Sequence, residues 1–153
     1  MLNTGLVLYQ FDGSPLVKNK DYGNYRLLLM KELTYLRMLM PQTPVIVIGT
    51  ASSGDVNQIL DIQRECAFAS GCVFWNLDQA LGGDNALARW AEAQPALVSR
   101  NLSHFTPRGA DWAGKLFYRS FLQEYRRFLL KERKRTILQR ARQLLPATQN
   151  RLS

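Results

Sequence analysis

Three short apolar runs, separated by stretches of helical character, constrain this chain more than any other feature. Leu6-Val7-Leu8-Tyr9-Gln10-Phe11 is the first, closed by the turn-forming run Asp12-Gly13-Ser14-Pro15. Val45-Ile46-Val47-Ile48 is the second, bounded by Pro44 and Gly49. An unbroken β-branched run of this kind suits a strand buried on both faces, as in a parallel sheet. Cys72-Val73-Phe74-Trp75 is the third. Between the first two, residues 21–40 place Tyr22, Tyr25, Leu29, Leu33, Leu36 and Met40 at helical spacing, stopped by Pro41. Between the second and third, Ser53 or Asp55 can cap a helix carrying Ile59, Leu60, Ile62, Cys66 and Phe68. A short helix over 85–93 follows, then a loop, then a long helix from Pro107 into the 130s or to Leu145, with Thr106 as N-cap. Strands alternating with helices predict an α/β fold with parallel pairing, right-handed crossovers and helices on both faces of the sheet.

The apolar share of 46% supplies a core and argues against disorder. No apolar run approaches the ~18 residues a membrane span requires. No basic segment precedes the first apolar run, so a signal peptide is not expected and the cytoplasm is the default location. The net charge of +8 is unevenly placed. Residues 115–153 hold eleven Lys/Arg and two Glu, while residues 1–114 hold nine basic and ten acidic groups. The sequence therefore divides into an α/β body over 1–130 and a basic helical extension over 131–153. The extension interleaves Arg and Lys with apolar residues and reads as a solvated helix packed by its apolar side. An anionic membrane surface is a weaker expectation, and nucleic acid is not an expected partner. Cys66 and Cys72 read as buried free thiols, and no metal site or cofactor is expected.

In open parallel sheets, ligands bind at the carboxyl ends of the strands. Three segments fall there: Asp12-Gly13-Ser14, Thr50-Ala51-Ser52, and the loop Asn101-Leu102-Ser103-His104 that precedes the last helix. His104 is the sole histidine of the chain. Imidazole titrates nearest neutrality of all side chains, which makes His104 the candidate general base. Ser52, Ser53 and Ser103 read as caps or loop residues. Trp75, Trp90, Trp112, Phe117 and Phe121 read as packing residues, with Trp90 close enough in sequence to the His104 loop to line an acyl or sugar pocket.

Four stretches, LVLYQFDGSPLV, YGNYRLLLMKELTYLRMLMPQTPVIVIGTA, CVFWNLDQALGGDNALARWA and NLSHFTPRGADWAGKLFYRSFLQEY, resemble in order the later half of an SGNH hydrolase, the GDSL-type esterases. The likeness runs over residues 5–128 and points toward bacterial members near the peptidoglycan and polysaccharide O-acetyl esterases. His-Phe-Thr-Pro-Arg-Gly-Ala at 104–110 is its most specific part. The resemblance implies a three-layer, flavodoxin-like α/β/α fold and ester hydrolysis or acyl transfer. It implies His104 as the base, Asn101 as its orienter in the place of the family aspartate, and Ser14 in the oxyanion slot normally held by asparagine. Ser14 as nucleophile, from the loose likeness of Asp12-Gly13-Ser14-Pro15-Leu16 to Gly-Asp-Ser-Leu, fits the spacing less well.

The same resemblance implies that the family's first two strands, with the nucleophile serine turn, are not in this sequence. Replacing the triad acid by an amide costs about 10⁴ in kcat, and loss of an oxyanion donor about 10²–10³. The isolated chain is therefore expected to be inactive, with an ester substrate its expected ligand only when the site is complete. A strand over 6–11 without its usual neighbour would carry an open apolar edge. That edge, or the basic tail, makes a non-catalytic interaction module the alternative, pairing with a second copy or with a complementary chain.

Overall fold

A computed structural model describes residues 4–11, 14–51 and 56–144. Its element order is β1 (Val7–Gln10), α1 (Ser14–Lys18), α2 (Tyr22–Leu39), β2 (Val45–Ile48), α3 (Val56–Ala69), β3 (Val73–Trp75), α4 (Leu77–Leu81), α5 (Ala86–Glu92) and α6 (Pro107–Leu144). The three strands form one parallel sheet in the order β1-β2-β3, so the α/β expectation holds. Two short helices were not legible in the sequence. The Ser14-Pro15 stretch turns into α1 rather than ending as a simple turn. Asn76 leaves β3 as an N-cap, its side chain accepting from the Gln79 N–H at 2.9 Å, and so starts α4.

The sheet register explains the core. Val7 lies opposite Val45, Tyr9 opposite Val47, and Val47 opposite Phe74. These residues share one face of the sheet, because side chains alternate along a strand. Tyr25, Leu29 and Leu33 of α2 meet them there, with Ile59, Ile62, Cys66 and Ala67 of α3. Tyr25, Leu29, Leu33, Val47 and Ala67 have no exposed surface at all. Burial of each of these side chains larger than alanine contributes about 1.5–3 kcal/mol. Asp21 caps α2 by accepting from the Asn24 N–H, the start signal ahead of the periodic run. The hydroxyl of Tyr9 donates to the Glu32 carboxylate of α2. Burial, followed by that bond, pushes the phenol above its ordinary titration range.

Gly49 follows β2 where two side chains come close to the backbone. A Cβ there would lie 2.7 Å from Phe74 Cζ and 2.9 Å from Leu60 Cδ2. β1 lies at an edge of the sheet, with Leu6 39% and Leu8 50% exposed. Ser53 and Asp55, the expected caps of α3, lie outside the described residues.

By internal contacts the chain divides into Met1–Gly114 and Lys115–Ser153. The second unit is helical through Leu144. Within it, Phe117 and Phe121 stack at 6.4 Å, and Arg127 pairs with Glu124 at 2.5 Å. Tyr118, Tyr125, Phe128, Leu129 and Ile137 are exposed along it. No described helix is long and apolar enough to cross a membrane.

Candidate active site

The carboxyl ends of the three strands converge on a cavity of about 390 Å³. Gln10 closes β1 at its rim, Thr50 and Ala51 follow β2, and Leu77 follows β3. The remaining wall comes from Leu87, Val98, and the run from Leu102 to Phe105, which includes His104. The position is the one that parallel α/β topology favours for ligands, because loops from successive strands all open there.

A buried glutamine holds two of these strand ends together. Gln63 of α3 is 1% exposed. Its Oε1 accepts from the Thr50 N–H at 2.9 Å. Its Nε2 donates to the Tyr25 hydroxyl at 2.7 Å and to the Phe11 carbonyl at 3.3 Å. One side chain thus ties the residue after β1 to the second residue after β2. Gln63 is not among the residues that the sequence singled out. Its place among Ile59, Leu60, Ile62 and Cys66 is the signal that marks it, since a polar group on a buried face needs partners.

The His104 loop is clamped at its base. The Leu97 N–H donates to the Trp90 carbonyl at 2.8 Å, and the Thr106 N–H to the Leu97 carbonyl at 3.0 Å. Val98 and Phe105 form an antiparallel bridge, and Val98 is 1% exposed. Thr106 caps α6 as expected: its Oγ1 accepts from the Gly109 N–H at 3.1 Å and donates to the Ala96 carbonyl at 2.9 Å. Gly109 permits this packing, because a Cβ there would lie 1.7 Å from the Leu97 oxygen. Trp90 packs edge-on against Phe105 at 6.0 Å, and Phe105 is the ring that lines the cavity.

At the tip, four side chains form one network. Asn101 Oδ1 accepts from the hydroxyls of Ser99 and Ser103, each at 2.7 Å. Ser103 Oγ lies 2.9 Å from His104 Nδ1. The Ser99 hydroxyl oxygen also accepts from the backbone N–H groups of Ser103 and His104, both at 3.2 Å. Asn101 and His104 therefore share one loop, and their link passes through Ser103. Ser103, read from the sequence as a loop residue, is the middle member of the network. Ser99 was missed; the local signal is Asn101 itself, whose Oδ1 accepts from the N–H two residues on, a recurrent side-chain-to-backbone turn. Ser14 opens α1, and its side chain lies outside the described residues, as do Asp12 and Gly13. No carboxylate lines the cavity among the described residues, and no cluster of His, Cys, Asp and Glu there can hold a metal ion.

No protein-family model matches the sequence, and no curated protein matches it. Among solved structures, the chain is similar to a peptidoglycan O-acetylesterase, with a TM-score of 0.70 at 18% identity. The similarity covers 80% of this chain and 38% of that protein, so the chain spans well under half the length of the enzyme it matches. The parallel sheet, the helices between its strands and this match agree with the fold that the resemblance to SGNH hydrolases implies: the chain shares the fold of part of that esterase.

Proposed function

We propose that this chain carries the general-base side of an SGNH-type ester hydrolase site, with acetyl esters of a polysaccharide as the substrate class. The observation that supports it is the place of His104. The side chain lines a cavity at the strand ends, in a fold shared with a peptidoglycan O-acetylesterase. In the reaction, the imidazole takes the proton of a serine hydroxyl as that oxygen attacks the acyl carbon, then returns it to the leaving alkoxide. Backbone or side-chain donors hold the oxyanion between the two steps. Ser14 is the proposed donor from this sequence. No Gly-Asp-Ser turn stands in this sequence, so the proposed site takes its nucleophile from a complementary segment.

The chain alone is then expected to hydrolyse p-nitrophenyl acetate no faster than buffer. Co-expressed with a segment carrying the first two SGNH strands and a Gly-Asp-Ser turn, it is expected to give turnover that His104→Ala abolishes. Turnover by the chain alone that depends on His104 would overturn the assignment of the nucleophile. A stable complex with no His104-dependent turnover would overturn the assignment of the base.

A second reading is favoured by one observation, the exposed edge. β1 pairs with β2 alone among the described residues, and Leu8 is half exposed. Unpaired strand edges template further pairing. On this reading the chain is a non-catalytic module that associates edge to edge with a second copy. Sedimentation equilibrium distinguishes it: a defined dimer supports edge pairing, and a clean monomer at high concentration removes it.

A further inference from the structure

The network around His104 sets where its proton sits. A serine hydroxyl carries one proton. Ser103 Oγ has two polar neighbours, Asn101 Oδ1 at 2.7 Å and His104 Nδ1 at 2.9 Å. Which of them receives the proton depends on which end of the Asn101 amide faces the serines. Two observations place the oxygen there. The Ser103 backbone N–H, shared with Ser99 Oγ at 3.2 Å, also points at that atom at 3.3 Å. The Ser99 hydroxyl approaches the same atom at 2.7 Å. Ser99 Oγ already accepts two backbone N–H groups, so its own proton is the one that remains to be given. An amide nitrogen in that position would face the Ser103 N–H donor to donor. With oxygen there, Ser103 donates to Asn101. Its oxygen then has only lone pairs to offer His104, so Nδ1 must carry the hydrogen.

We propose that Ser103 is a positioning residue that holds neutral His104 as the Nδ1–H tautomer, with Asn101 as the acceptor that orients the serine. This leaves the lone pair on Nε2, which is the arrangement a base needs to take a proton through that nitrogen. A carboxylate bonded directly to Nδ1 would set the same tautomer and also supply charge. The relay sets the tautomer with neutral groups and supplies none. The inference rests on His104 being the base of the proposed site, and adds how its proton is placed.

The test needs no ester turnover, because the chain has one histidine and hence one imidazole signal set. In ¹⁵N-labelled protein, held at a pH where the ring is neutral, two-bond proton–nitrogen correlations distinguish the tautomers. Wild type is expected to show Nδ1 as the protonated nitrogen. Ser103→Ala removes the relay, and is expected to reverse the majority form to the Nε2–H tautomer that free neutral imidazole favours. Asn101→Ala frees the Ser103 proton to turn toward Nδ1, and is expected to give the same reversal. Ser103→Thr keeps a hydroxyl and is expected to retain the wild-type pattern. Val98 and Ile46 methyl shifts report that each variant is folded. A wild-type ring protonated on Nε2 would overturn the proposal, as would a Ser103→Ala ring indistinguishable from wild type. Neither result bears on whether a complete site hydrolyses esters, so the two assignments fail separately.

Discussion

Replacing Gln63 by leucine tests the tie between the two strand ends. The side chain is 1% exposed, so leucine of similar size fills its place without reaching water. It cannot accept from the Thr50 N–H, which Gln63 Oε1 meets at 2.9 Å. Leaving this half-buried donor without a partner costs toward the low end of about 1–3 kcal/mol. The bonds from Nε2 to Tyr25 and Phe11, at 2.7 and 3.3 Å, also go. Each neutral bond is worth about 0.5–1.5 kcal/mol. Greater apolar burial by leucine returns about 1 kcal/mol. The net loss is about 2–4 kcal/mol. With a urea m-value of about 1.5 kcal/mol/M, the midpoint followed by tryptophan fluorescence falls by roughly 1–3 M at unchanged m. Tyr25→Phe removes the partner hydroxyl, so the double variant should cost less than the sum of the two singles, by about 0.5–1.5 kcal/mol. The Thr50 amide should also lose most of its protection from hydrogen exchange. A Gln63→Leu loss under about 0.5 kcal/mol, or strict additivity with Tyr25→Phe, would refute the idea that this network joins β1 to β2 at the cavity.

Three further perturbations have signs set by the structure. Gly109→Ala would drive a Cβ to 1.7 Å from the Leu97 oxygen, and backbone on both sides leaves no flexible end to move. It is expected to destabilise by more than about 2 kcal/mol, although alanine is about 1 kcal/mol the better helix former. Gly114→Ala, whose added Cβ meets nothing within 4 Å among the described residues beyond its own helix, is expected to stabilise by up to about 1 kcal/mol; equal effects at the two sites in thermal melts would contradict the steric account. Burial, foremost, pushes the thiols of Cys66 and Cys72 above the ordinary cysteine range. Folded thiols then hold their protons where unfolded ones release them, so this contribution to stability is full below the unfolded thiol pKa and fades as pH climbs through the folded values. Native protein at pH 8 should react with a disulfide dye far more slowly than protein in urea, and fast reaction of both thiols in the native state would count against their burial.

The strands and main helices were legible because their signals are local. Val45-Ile46-Val47-Ile48 names its own element, and Asp21 caps the helix that Pro41 ends. α1 and α4 were missed because each is five residues long, too short for periodicity to register, and turn residues occupy their starts. At the site, the sequence singles out His104 by type and by place, and the Thr106-Pro107 helix start positions the loop. It does not reveal Ser99 and Ser103 as the residues that link Asn101 to the imidazole. Serine is common in loops, and its role here depends on hydrogen bonds among residues two to five positions apart in a particular turn.

What the sequence by itself determined, then, is the alternation of elements, the division of charge and the chemical type of the candidate base. Each follows from patterns that a few neighbouring residues carry. Only the tertiary structure decided that Gln63 joins two strand ends and that Gly109 must lack a side chain against Leu97. It alone brings Thr50 and His104, far apart in the chain, to one cavity. Those facts depend on close packing and hydrogen bonds between distant segments, and the position of one partner has no local signature at the other.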